Sequence, residues 1–266
     1  MTAVPPPPAP PPPSPPAPPP PAALSVAGLC KSFGGVRVLT DLTLSVPAAP
    51  ETSVAILGQN GAGKTTLLNL VTRLIPADSG TITIFGQDML RRPARYLARH
   101  GVARTFQSPR LLLDETCLAN VALGALSAGA GRRSAAVRGA RESLERVGLS
   151  AHAGRIVGTL PFGSRKLVEL ARALAIAPRL LLLDEPAAGL SDAEERSLAE
   201  VLVALRASGI VLLLIEHRMA LVAAAASRVV MMDSGAIVFD GGAAEALTSP
   251  LVRERYLGPG FAEGTG

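Results

Sequence analysis

The sequence predicts an α/β fold, and two observations carry the prediction. Gly58–Thr66, "GQNGAGKTT", satisfies the pattern G-x-x-x-x-G-K-[ST] between a β-type run, Val54–Leu57, and a helical run, Leu67–Leu74. Farther on, Leu180–Leu183 and Ile210–Ile215 are continuous apolar runs separated by an amphipathic stretch, Asp192–Ala207. That order is expected of parallel strands covered on both faces by helices.

Taken in order, the elements refine this reading. Residues 4 to 22 are almost wholly Pro and Ala, which removes backbone donors and favours an extended, solvated chain. Residues 1–23 are therefore expected to form a disordered tail, either inert or a PxxP ligand for a partner. From Leu24 the pattern is ordered, with β-type runs at Val36–Leu39, Leu42–Val46, Val54–Leu57 and Thr81–Phe85. Strand signals vanish after Gln107 and helical ones take over, at Thr116–Leu126 and Ser134–Val147, which predicts a helical subdomain over about 108–177. Two short strands, Val229–Met232 and Ala236–Phe239, then meet at Asp233-Ser234-Gly235, a hairpin composition. One domain over 24–258, with a flexible end at 259–266, completes the expected organisation.

Composition narrows the function classes. The chain has 266 residues, is 48% hydrophobic and carries a net charge of +5, with its basic residues scattered. A nucleic-acid partner, which wants a concentrated basic footprint, is not expected. Mean hydropathy is high at +0.35, yet no apolar run reaches the ~20 residues that cross a bilayer. No direct membrane span is therefore expected, nor is secretion, since no basic, apolar, small-residue segment opens the chain. Cys30 and Cys117 have no metal-ligand or CxxC spacing, which suits a reducing compartment.

The candidate chemistry lies at strand ends. In the Gly58–Thr66 loop, the glycines let backbone N–H groups curl around phosphates, Lys64 reaches the β/γ-phosphates and the Thr65 hydroxyl can ligate magnesium. Asp184 and Glu185 follow the strand Leu180–Leu183, where open α/β sheets bind ligands. Asp184 suits a magnesium shell, and Glu185 suits a base that polarises water for attack on the γ-phosphate. Two further polar residues, Gln107 after Gly101–Phe106 and His217 after Ile210–Ile215 and Glu216, would project toward the same crevice.

With these residues in place, the chain resembles the ATP-binding subunits of ABC transporters from Leu24 to Gly258. Gly58–Thr65 resembles Walker A, Gln107 the Q-loop, Leu180–Asp184 Walker B with Glu185 as catalytic base, and His217 the switch histidine. The resemblance implies the P-loop NTPase fold of ABC ATPases: a parallel-sheet core, an antiparallel β subdomain and a helical subdomain. ATP and Mg2+ are the implied cofactors, with Gly58, Gln59, Asn60, Gly61, Ala62, Gly63, Lys64, Thr65 and Thr66 around the nucleotide and Thr65, Gln107 and Asp184 at the metal. Phe33, in "KSFGG", reads as core from its neighbours, whereas the resemblance implies that it stacks on adenine.

"LPFGS", Leu160–Ser164, stands where the family has Leu-Ser-Gly-Gly-Gln, the loop that closes over the ATP of a second subunit. Leu160 and Gly163 match, while Pro161, Phe162 and Ser164 replace Ser, Gly and Gln. A variant clamp using Gly163, Ser164 and a helix N-terminus is the expectation, with a weakened clamp as the alternative. The proline and aromatic are similar to the LivG branch, the ATPases of branched-chain amino-acid importers, as are "LVELARALA", "DEPAAGL", "IEHRMALV" and "YLG". Ser191 stands where the wider family has the D-loop aspartate.

The resemblance implies a peripheral subunit on the cytoplasmic face of the cell membrane. It implies a second ATP-binding subunit, transmembrane permease subunits and an extracytoplasmic substrate-binding protein as partners. Another cargo (urea, amides, other amino acids or an exported lipid) is the main alternative. A non-transport ABC ATPase would want two cassettes or a long coiled-coil insertion, and a binding-only subunit would not need Lys64, Asp184, Glu185 and His217 together.

Overall fold

The computed structural model describes residues 21–252 apart from 128 and 130. Ten strands and nine α-helices are found among them, arranged around a six-stranded sheet and a four-stranded one. The four-stranded antiparallel sheet has the order β2-β1-β4-β5, from β1 (Ala22–Phe33), β2 (Val36–Pro47), β4 (Ser79–Ile84) and β5 (Gln87–Asp88). The six-stranded sheet runs β10-β9-β3-β8-β7-β6, with β3 (Ser53–Leu57), β6 (Val102–Arg104), β7 (Leu180–Asp184), β8 (Val211–Ile215), β9 (Arg228–Asp233) and β10 (Ala236–Gly242). Five of these strands are parallel and the edge strand β10 pairs antiparallel with β9.

Period-two alternation explains why the central strands read as unbroken apolar runs. In β3, Ala55 and Leu57 join one core while Val54 and Ile56 join the other. Leu181 and Leu183 of β7 and Leu212 and Leu214 of β8 take the first side; Leu180, Leu182, Leu213 and Ile215 take the second. Both faces are dry, so neither alternate residue is polar. At ~1.5–3 kcal/mol for each fully buried Leu or Ile, these strands anchor the molecule.

The second core holds α1 (Lys64–Val71) between the parallel sheet and the antiparallel one. α2 (Ala94–Arg99) contributes Leu97 to that core. The first core holds α3 (Cys117–Ser127), α4 (Arg133–Arg146), α5 (Phe162–Leu174), α6 (Asp192–Ala207), α7 (Met219–Ala225) and α8 (Ala243–Thr248), with Val252 of α9 (Pro250–Val252). Among the described residues from 108 to 177, two 3-10 turns and an isolated Thr116–Ile156 bridge accompany α3, α4 and α5, and no strand is present.

Several sequence expectations need correction. Ala22 and Ala23, assigned to the tail, lie in β1, and Ala23 is fully buried. Backbone pairing explains it, since Phe85 N donates to Ala23 O and Ala48 N to Pro21 O. Residues 1–20, the end at 259–266 and "YLG" lie outside the described residues. Val36–Leu39 and Leu42–Val46 are one strand, β2, with Asp41 between them at a φ of 52° and irregular pairing on either side. β1 escaped the sequence reading because its pairing shifts at several points, which scrambles the alternation. The β9–β10 hairpin turns through Ser234 and Gly235, both at positive φ, as its composition leads one to expect.

Candidate nucleotide site

β3 delivers the chain at Gly58 into a loop that ends at Gly63, the residue before α1. Gly58 and Gly63 have φ of 148° and 97°, where a side chain would be strained. Space forbids one as well: a Cβ on Gly58 would lie 2.3 Å from Met232 O, and one on Gly63 would lie 2.6 Å from Leu39 Cδ2. β9 and β2 thus press the loop from behind, leaving its backbone as the only lining that fits.

Lys64, the first residue of α1, turns back over the loop. Its Nζ donates to Gly58 O at 2.6 Å and to Gln59 O at 2.9 Å. Burial pushes the Lys64 ammonium below its ordinary pKa, while Glu185 and Asp184 oppose that shift. Thr65 and Thr66 follow in the first helical turn, and Thr65 is exposed. A helix N-terminus behind a glycine loop and a buried ammonium together suit a polyphosphate.

The acidic pair stands at the end of β7. Asp184 Oδ2 accepts from Arg104 Nη2 at 2.7 Å, a buried ion pair. Arg104 also donates to Asn69 Oδ1 and Thr72 Oγ1, so it ties β6 and the phosphate-loop helix to the end of β7. Sequence reasoning missed Arg104; the available signal is a basic residue three positions before Gln107. Glu185 has a φ of 47°, an uncommon conformation for a side-chain-bearing residue. Its N–H donates to Ile215 O at 3.0 Å, and its Oε2 accepts from Gln107 Nε2 at 2.7 Å.

The structure therefore brings together Lys64, Asp184, Glu185 and Gln107. His217 shares the same sheet end but remains half exposed, with Nδ1 3.6 Å from Glu216 Oε2. Glu216, fully buried, accepts from Ala187 N and from its neighbour His217 N, which fastens the end of β8 to the loop after β7. Its place between an unbroken apolar strand and a histidine was the overlooked signal. Phe33 is exposed at the end of β1 with Lys31 Nζ 5.3 Å from its ring centre. It is not a core residue, as its neighbours alone suggested.

Gly163 and Ser164 are elsewhere. They line a cleft of about 240 Å³ between α5 and α6, with no phosphate-loop residue in its wall. Pro161 caps α5, and Gly163 lies inside the helix, where a Cβ would come 2.1 Å from Glu194 Oε1. Ser191, in the D-loop position, caps α6: its hydroxyl accepts from Glu194 N while Glu194 Oε2 accepts from Ser191 N. That capping box accounts for serine at this position without nucleotide contact.

For a divalent cation the donors fit magnesium better than a protein cage. Among the described residues no cluster of three His, Cys, Asp or Glu side chains could hold a metal. Mg2+ is ordinarily held by one or two carboxylates plus substrate phosphates and water, and of these Asp184 would supply the carboxylate, with the Thr65 hydroxyl beside the glycine cradle.

Comparison with known proteins identifies the family. The family model described as ABC transporter matches residues 39–188. The chain is 36% identical over 250 residues to the high-affinity branched-chain amino acid transport ATP-binding proteins BraF of Pseudomonas aeruginosa and LivG of Escherichia coli K12, covering 88% of this chain and 97% of each relative. A solved ADP conformation of an ATP-binding cassette of an ABC transporter superposes with a TM-score of 0.80 at 30% identity, covering 89% of this chain and 99% of that one. With a glycine cradle, a buried lysine and a Gln–Glu pair at the ends of parallel strands, the chain belongs to the ABC transporter family, as one of its ATP-binding and ATP-hydrolysing subunits.

Proposed function

We propose that this chain energises import of branched-chain amino acids through separate membrane permease subunits, using ATP bound at Gly58–Thr66 and hydrolysed with Glu185 as the base. The observation that carries the catalytic part is the 2.7 Å bond from Gln107 to Glu185. It holds the carboxylate at the sheet edge, near the buried Lys64 that would meet the β/γ-phosphates. Mg2+, when bound, would neutralise charge on the β- and γ-phosphates, with Asp184 and Thr65 as its protein donors and Gln107 beside them. His217 would contact the γ-phosphate side of the site, and Phe33 would offer its exposed ring to the adenine.

The cargo is supported by the likeness to BraF and LivG over nearly their whole length. No helix among the described residues is long and apolar enough to cross a membrane, so transport would need permease subunits from other chains. We place the chain peripherally on the cytoplasmic face. It would act as a dimer with a second ATP-binding subunit, each Leu160–Ser164 loop closing on the other's nucleotide, and an extracytoplasmic binding protein would deliver the cargo.

Leucine and isoleucine uptake in cells carrying wild-type or Lys64→Ala protein tests both parts. Selective loss of uptake in the variant supports them; unchanged uptake, with ATPase confirmed on purified wild type and no redundant importer, overturns the cargo. A Glu185→Gln chain is expected to bind ATP and dimerise without turnover, and retained turnover would remove Glu185 as base.

A further inference from the structure

We propose that Lys166 and Glu169, one turn apart on α5, are positioning residues for the Gln107–Glu185 pair, so that the helix opened by the Leu160–Ser164 loop governs turnover in the chain's own nucleotide site. The inference rests on the ATPase reading above. Lys166 Nζ donates to Glu185 O at 2.8 Å. Glu169 takes the other side of the pair: its Oε2 accepts from Phe106 N at 3.3 Å and its Oε1 from Arg110 N at 3.1 Å. These two amides bracket Gln107, and Gln107 in turn donates to Glu185. The contacts close a ring that leaves α5 through one side chain and returns through the other.

Both side chains are buried, Lys166 at 8% exposure and Glu169 at 3%. Burying charge is costly unless the charge is used, and apolar residues would fill this helix face at less cost. Here both charges hold backbone groups of the two loops that carry the catalytic pair. Glu185 keeps a φ of 47° between the Lys166 bond on its carbonyl and the Ile215 bond on its N–H. A conformation of that kind persists where the surroundings impose it. Gly163 lies one turn before Lys166 on the same helix, so a shift of α5 where it meets the second subunit would be carried directly to Glu185.

Phosphate release from Mg-ATP by the purified full chain, beside fluorescent-ATP binding and thermal melting, tests the proposal. Lys166→Met is expected to lower kcat by about tenfold or more, a loss typical of a misplaced catalytic group. KM and ATP binding should remain within about twofold, and Lys166→Arg, which keeps the donor, should restore most of the rate. Glu169→Gln should lower kcat in the same way. Should Lys166→Met fail to melt cooperatively, Lys166→Gln, with a shorter donor, carries the test with Glu169→Gln. Wild-type kcat in these folded variants overturns the proposal, as does a loss of rate matched by an equal loss of ATP binding. An inactive wild-type chain instead overturns the ATPase reading and the proposal with it.

Discussion

Two loops in this molecule open helices with glycine, and they use it differently. Before α1, Gly58 and Gly63 sit at positive φ against immovable atoms, so a methyl group would meet the backbone of β9 or a packed leucine of β2. Before α5, Pro161 is the cap, and Gly163 sits in the helix where a methyl group would meet chiefly the flexible end of Glu194, with Leu190 Cδ2 farther off at 3.3 Å. The first loop is a complete cradle with its own lysine. The second faces a cleft apart from that cradle and has no nucleotide to hold within its own chain. The strictly spelled motif builds its cradle within one chain, and the loosely spelled one stands apart from that cradle.

The largest expected effect tests the first loop. Lys64→Ala should cut phosphate release by ~100-fold or more, the usual loss when one preorganised charge is removed from a transition state. A rate within a few-fold of wild type would show that the cradle does not carry the chemistry. Next comes Gly58→Ala, which forces a methyl group against Met232 O. It should cost ~1–3 kcal/mol in thermal or denaturant unfolding and weaken ATP binding; full stability and binding would mean that the loop yields, against the contrast drawn here.

Gly163→Ala sharpens the comparison from the other side. Glu194 must swing away and give up its bond to Ser191 N, so a loss of ~1 kcal/mol or less is expected, with ATP binding by the isolated chain unchanged. A loss as large as that of Gly58→Ala would erase the distinction between the two loops. The smallest effects concern Ser191. Ser191→Ala removes a helix cap and should cost ~1 kcal/mol, whereas Ser191→Asp keeps a capping oxygen and should lie within a few tenths of wild type. A denaturant series on the pair decides whether serine is there as a cap.

Much of the site was legible because its chemistry is local. Gly58–Thr66 must be contiguous to curl around phosphates, and Asp184-Glu185 must follow a buried strand to reach the sheet edge. Arg104, Lys166, Glu169 and Glu216 were not legible in the same way. Each acts by touching something 19 or more residues away, or by fastening the backbone of another loop, and an isolated charge in a helix or beside a strand looks like ordinary surface. β1 was missed for a related reason: its bulges break the period that marks a strand.

By itself the sequence determined the parallel core, since uninterrupted Leu and Ile runs satisfy both faces of a covered sheet. It determined the phosphate loop for the same kind of reason, with glycine, lysine and threonine fixed at one spacing by one turn of backbone. Only the tertiary structure decided that Gln107 and Glu185 meet, that Arg104 ties Asp184 to the phosphate-loop helix, and that Lys166 and Glu169 of α5 bond the backbone around that pair. Those contacts join residues 19 to 80 positions apart and cross between elements. Pairing order is a property of the packed sheet, which no local spacing encodes.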